Sequence, residues 1–130
     1  MNLISVGFYK EMPHNGGAQI SIKDYIGKQV EYIDEICNYL SMNEAFIVSP
    51  GVVQDVINPE KGNSGTPSLY TDGKWVWSGD LAYYVKNYKL KLPDEFIDTM
   101  KDNSWINDFD ISSIDFDTLK LDGEEFKYNS

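Results

Sequence analysis

The dipeptide Asp72-Gly73, set between Leu69-Tyr70-Thr71 and Lys74-Trp75-Val76-Trp77, is the tightest local constraint in the chain. Two short runs rich in aromatic and β-branched residues flank a pair that accepts positive φ, which predicts a two-residue type I′ turn and an antiparallel hairpin. In that register Thr71 faces Lys74, Tyr70 faces Trp75 and Leu69 faces Val76. One face then carries Tyr70, Trp75 and Trp77 and the other Leu69 and Val76, so the hairpin needs cover on both sides. Ser78 follows as a candidate N-cap with Asp80 in the first turn. Leu81, Tyr84, Val85 and Tyr88 recur at helical spacing and predict a helix over about 79–88. Tyr83 falls on its outer side, as an amphipathic surface residue or as an anchor for a partner, tyrosine being enriched at interfaces.

The rest of the chain reads around that unit. Residues 3–9 alternate as a first strand, and Pro13 with Gly16-Gly17 makes 10–19 a loop that holds His14, the single histidine. Ser21 caps, and Ile22, Tyr25, Ile26, Val30, Ile33, Ile36, Cys37 and Leu40 continue, the longest periodic segment, predicting one long helix over about 21–40. Cys37 has no partner for an intrachain disulfide and is expected as a small buried thiol on the inner face. Residues 45–49 and 52–57 read as short strands and 58–67 as a loop. Pro93 at a helix start predicts a third helix over about 93–103, with Trp105 closing against the core. These elements make an α+β domain over 1–105, a mostly antiparallel sheet packed by the long helix on one face and the short helices on the other or at an end.

From Asp102 onward eight acids stand against two lysines, a net of −6 out of the chain's −10. Ile106, Phe109, Ile111, Ile114, Phe116, Leu119, Leu121, Phe126 and Tyr128 are too many large apolar residues for a solvating tail. Residues 106–130 therefore read as an acidic segment docked on the domain, ending in a hairpin with Asp122-Gly123 between Thr118–Leu121 and Glu124–Tyr128. The chain has lysine but no arginine. A phosphate backbone needs clustered positive charge, so nucleic acid is not expected as a ligand, whereas a basic partner is favoured. No run approaches the roughly 20 apolar residues of a bilayer span, and the first residues lack a signal-peptide pattern, so no membrane association and a cytoplasmic location are expected.

Gly62-Asn63-Ser64-Gly65-Thr66-Pro67 looks like the nucleophile loop of chymotrypsin-like proteases, and His14 precedes it. Such proteases close two barrels around their triad, and too little chain separates His14 from Ser64 for that; a small serine hydrolase built on Ser64 and His14 is the rival reading. One histidine and one cysteine do not make a zinc site, and the tail aspartates do not match a calcium loop, so no metal or cofactor is expected.

Residues 71–77, then Asp80-Leu81-Ala82-Tyr83-Tyr84-Val85 with Tyr88, Leu92-Pro93 and Phe96, together with the opening Ile4-Ser5-Val6-Gly7-Phe8-Tyr9, are similar to small bacterial proteins found beside polymorphic and contact-dependent growth inhibition toxins. The resemblance covers roughly residues 4–105 and leaves the acidic segment unmatched. It implies a non-catalytic immunity protein that binds a cognate toxin domain in the cytoplasm and occludes its active site or substrate groove, nucleases with positive clefts being one class of target. The expected contact is Asp108, Asp110, Asp115, Asp117, Asp122, Glu124 and Glu125, with Tyr83 or a rim tryptophan as an apolar anchor. A non-catalytic regulatory adaptor is a further alternative.

Overall fold

The computed structural model describes residues 1–126 of the chain. In order, its elements are β1 (Asn2–Ser5), α1 (Ile33–Ser41), β2 (Val53–Gln54), β3 (Asn63–Gly65), β4 (Leu69–Thr71), β5 (Trp75–Ser78), α2 (Leu81–Tyr88), α3 (Asp94–Asp102), β6 (Lys120–Leu121) and β7 (Glu124–Glu125). Single 3-10 turns lie at Ile22–Asp24, Pro59–Lys61 and Ile111–Ser113. The fold is α+β. Its main sheet runs β4-β5-β1-β6-β7, antiparallel at both edges and parallel on either side of β1, which pairs Ile4 with Trp75 and Leu3 with Leu121. β2 and β3 form a separate antiparallel pair.

Alternation along β5 divides the core. Trp75 and Trp77 face the helices, where their rings meet Phe96 at 5.2 and 5.3 Å between centroids. Each indole N–H finds an acceptor, Trp75 on Thr99 Oγ1 and Trp77 on the Leu40 carbonyl, both at 3.0 Å, so the polar end of each ring is satisfied inside the core. Ile36, Leu81, Val85 and Met100 complete this layer from α1, α2 and α3. Val76 faces the other way and packs with Leu3, Ile114 and Leu119, flanked by half-buried Phe109, Leu69 and Phe46. All three helices thus share one face of the sheet. The apolar residues of the acidic segment cover the other, while the short helices, expected on that face or at an end, lie beside α1.

The long helix over 21–40 is replaced by the short turn at Ile22–Asp24 and the nine-residue α1. Gly27 takes φ +74°, which ends any helix, and the N–H groups of Gly27, Lys28 and Gln29 donate to the carbonyls of Tyr88 and Lys89. Backbone bonds across the fold replace the bonds four residues back, and Val30 is left 75% exposed. Cys37 is half-buried, its thiol 3.6 Å from the Ala82 carbonyl.

The hairpin forms two residues out of the expected register, with Tyr70 opposite Trp77 and Thr71 opposite Val76. Side chains at the turn select this longer loop. Asp72 accepts from the N–H of Lys74 and Trp75, and Thr71 Oγ1 accepts from the Gly73 N–H while donating to the Trp75 carbonyl at 2.6 Å. A shift of two leaves every side chain on its expected face. At the other end of the molecule Asp122 and Gly123 take φ +52° and +84° and join β6 to β7 in a two-residue turn. Lys127 and Tyr128, assigned to the second strand of that hairpin, lie outside the described residues.

The expected strands at 45–49 and 52–57 reduce to one bridge, Ile47 to Leu69, and to β2. The expected loop at 58–67 contains β3.

Candidate functional site

β1 stops where Gly7 adopts φ +78°, with the Leu81 side chain so close that an added Cβ would stand 2.7 Å from it. The chain then turns over the sheet in a loop closed by Lys10 N–H on the Ile20 carbonyl at 2.8 Å and by Glu11, which accepts from the Ile22 N–H at 2.9 Å and from the Ser21 hydroxyl. Burial pushes the Glu11 carboxyl up, but these bonds outweigh it and hold it below the ordinary range. Between this loop, the carboxyl ends of β1 and β6, and the β7 edge lies a groove of about 1100 Å³. Crevices at the carboxyl ends of parallel strands are where open sheets carry their ligands. The lining includes Val6, Tyr9, Tyr25, Leu92 and Phe126, and the rim Asp94, Asp122, Glu124 and Glu125. Lys91, the one lysine in the lining among the described residues, is 2.8 Å from Asp94 and holds that carboxyl below its usual range.

His14 stands in the groove wall and reaches inward. Its Nε2 is 3.1 Å from Asp80 Oδ2 and 3.4 Å from Ser78 Oγ, and the Ser78 hydroxyl donates to Asp80 Oδ1. Asp80 and Ser78 are fully buried. Ser78 ends β5 and donates to Asp80 instead of capping α2, and Asp80, expected in the first turn, is a buried inward carboxylate at the N-cap position. A nucleophilic triad places histidine between serine and carboxylate. Here the serine and the carboxylate both face Nε2, and Nδ1 has no hydrogen-bond partner among the described residues, which makes the trio a pin fastening the 10–20 loop to the end of β5. Ser64 lies elsewhere, buried in β3 and donating to the Val53 carbonyl at 3.2 Å. The two residues of the hydrolase reading are thus engaged with different partners.

The acidic candidates divide by what they already hold. Asp122 accepts from the Ser5 N–H and hydroxyl at 2.8 and 2.6 Å, tying the turn after β6 to the end of β1. Asp110 caps the turn at Ile111–Ser113, and Asp115 accepts from the Asp117 N–H. The carboxylates of Asp108, Asp117, Glu124 and Glu125 are exposed and have no hydrogen-bond partner among the described residues. Asp117, Glu124 and Glu125 ride on a segment anchored beneath by Ile114 and Leu119, with Glu124 and Glu125 at the groove rim.

Tyr83 is not a free outer anchor. Its hydroxyl donates to Asp55 Oδ2 at 2.8 Å, as does that of Tyr88 at 2.5 Å, and Asp55 Oδ1 accepts from the N–H groups of Ile57 and Asn58 at 2.8 Å each. Burial pushes the Asp55 carboxyl up, but the bonds from Tyr88, Asn58, Tyr83 and Ile57 outweigh it and hold it below the ordinary range. The hydrogen bond to Asp55 in turn lifts the Tyr83 phenol to about 12. Sequence reasoning missed Asp55. The local signal is an aspartate two and three residues ahead of free N–H groups and just before Asn58-Pro59, an Asx turn.

Among the described residues no group of three or more His, Cys, Asp or Glu side chains is placed to hold a metal ion, and no helix is long and apolar enough to cross a membrane. Comparison with models of known families, with curated proteins and with solved structures gave no match.

Proposed function

We propose that this chain is an immunity protein: it binds a basic toxin domain through the acid-rimmed groove and the exposed carboxylates beside it, and neutralises the toxin by covering its active site or substrate cleft. The observation that carries this reading is the pairing of an apolar groove floor with Glu124 and Glu125, which stand at its rim without a hydrogen-bond partner among the described residues, on a strand hydrogen-bonded into the main sheet. Carboxylates fixed in place bind at a smaller ordering cost than those on a loose tail, and a net charge of −10 steers a positive partner. A binding role is favoured over a hydrolase because Ser64 and His14 have separate partners and Ser78 donates to a carboxylate instead of the histidine. In this reading the protein works in the cytoplasm, as a stoichiometric inhibitor.

A candidate toxin domain, sought in the gene next to this one, supplies the test. Co-expression restores growth, and the purified pair associates with a rate that falls steeply between low and physiological salt. Glu124→Gln with Glu125→Gln and Asp117→Asn lowers that rate about tenfold, mostly as loss of steering. A toxin that kills equally with and without this chain, or a complex whose formation ignores salt and all three substitutions, refutes the reading.

A further inference from the structure

We infer that a second surface, at the end of α3, receives an arginine side chain of the partner, the aromatic pair Tyr32 and Trp105 and the exposed Ile106 taking its stem and apolar neighbours. This rests on the reading that the partner is basic and adds where and by which residue it is anchored.

Beyond Asp102 the backbone enters the left-handed region at two successive side-chain-bearing residues, Ser104 at φ +55° and Trp105 at φ +61°. The N–H groups of Ser104 and Trp105 close onto the carbonyls of Lys101 and Met100 at 2.9 and 2.8 Å. That turn sets the Trp105 ring 5.1 Å from Tyr32, itself left-handed at φ +61° and 40% exposed. The Lys101 ammonium stands 4.7 Å over the Tyr32 ring, so this aromatic surface already attracts a cation of the chain's own. Ile106 follows at 55% exposed, and Met42, 45% exposed, takes the Asn107 N–H on its sulfur at 3.1 Å, which extends the apolar surface across the end of α1.

A pocket of about 410 Å³ opens beside these groups, lined by Asp72, Asn103, Ser104, Ile106, Asn107, Asp108 and Phe109. Two of its acceptors are open. Tyr39 spends its proton on Asp72 Oδ2 at 2.6 Å, and Asn103 spends a donor on the Tyr39 oxygen at 3.0 Å. Asp108 and the Asn103 Oδ1 accept nothing among the described residues. The pocket thus presents acceptors and negative charge with an apolar lip. Glu31, next to Tyr32 in the chain, and Asp102, next to Asn103, add exposed carboxylates. A guanidinium, planar and carrying five donors, matches that set better than an ammonium, and its flat face stacks on aromatic rings. Buried arginine and aromatic anchors are also where binding energy concentrates at protein interfaces.

The test uses the full-length protein, labelled with nitrogen-15, and two peptides as probes: acetyl-Leu-Arg-Leu-amide and its uncharged isostere with citrulline. The arginine peptide moves the Trp105 indole N–H and the amides of Ser104 to Asp108 in a saturable way, at least fivefold more tightly than the citrulline peptide. Asp108→Asn weakens it by a similar factor, and Glu60→Gln, an exposed acid on the turn at Pro59–Lys61, leaves it unchanged as the control for net charge. Shifts confined to groove residues such as Val6 and Leu92 overturn this surface while leaving a basic partner standing. Arginine and citrulline peptides that behave alike everywhere overturn this surface too, while growth rescue and the salt dependence of the complex decide separately whether the partner is basic.

Discussion

Replacing Asp55 tests whether one buried carboxylate holds α2 to the segment before it. Asp55 is 0% exposed and accepts four hydrogen bonds, two from backbone N–H groups and two from tyrosines. A bond to a charged acceptor contributes about 1.5–3 kcal/mol, and a buried donor left alone costs about 1–3 kcal/mol. In Asp55→Ala the N–H groups of Ile57 and Asn58 lose their acceptor, while the half-exposed Tyr83 and Tyr88 turn to water, so the expected loss is about 3–5 kcal/mol. For a chain of this size that lowers Tm by about 10–20 °C. Asp55→Asn keeps an acceptor for the backbone but sets an amide donor against two phenols, and costs about 1–3 kcal/mol. Urea unfolding followed by circular dichroism, repeated from neutral to acid pH, reads both. Because the folded carboxyl is held below its ordinary value, its stabilisation is complete above the unfolded pKa near 4 and is lost as pH falls through the folded value. The gap between the wild type and Asp55→Ala therefore narrows in acid. A loss under 1 kcal/mol at neutral pH, or a gap that stays constant into acid, refutes the account.

The same cluster has an alkaline signature. With the Tyr83 phenol lifted to about 12, its stabilisation is complete below the unfolded pKa near 10 and lost as pH rises through 12; ultraviolet titration of Asp55→Ala moves this phenol back toward 10. Gly7→Ala combines φ +78° with a methyl 2.7 Å from Leu81 and is expected to cost about 2–4 kcal/mol in urea unfolding, where an unchanged midpoint counts against the close approach that ends β1. Phe109→Ala empties the space beside Gly73, whose ideal Cβ position lies 2.8 Å from that ring, and costs about 3 kcal/mol; hydrogen exchange is expected to rise first in residues 106–119, and a uniform rise contradicts local anchoring. A fluorophosphonate probe leaves the wild type and Ser64→Ala equally unlabelled, because the Ser64 hydroxyl is buried and has no histidine partner; labelling of the wild type alone revives the hydrolase reading.

What could be read in the sequence is what neighbouring residues decide. Residues 69–78 make a hairpin and 81–88 a helix, and the split of Trp75 and Trp77 from Val76 survives a register shift because a strand repeats every two residues. The apolar spacing at 22–40 does describe a helical face, but Gly27 weakens the helix there and the carbonyls of Tyr88 and Lys89 offer its backbone a better partner sixty residues away. Asp55 and Asp80 belong to the same class. Alone each reads as one acid among 21, and only the fold brings Tyr83, Tyr88 or His14 against them.

Distance along the chain also decides what the acidic segment is. Leu3 pairs with Leu121 and Ser5 bonds to Asp122, 117 residues away, while Ile114 and Leu119 fill the sheet face opposite the helices. No turn signal announces a parallel pairing of that span, because loop closure, and no local preference, sets its cost. The consequence bears on any dissection of function. A chain cut after Trp105 loses the strand beside β1 and the cover of Leu3 and Val76, so a loss of binding in it reports unfolding as readily as a missing contact. Neutral substitutions at Asp108, Asp117, Glu124 and Glu125 remove charge from positions without hydrogen-bond partners among the described residues, and so separate the role of the acidic surface from the stability of the sheet that carries it.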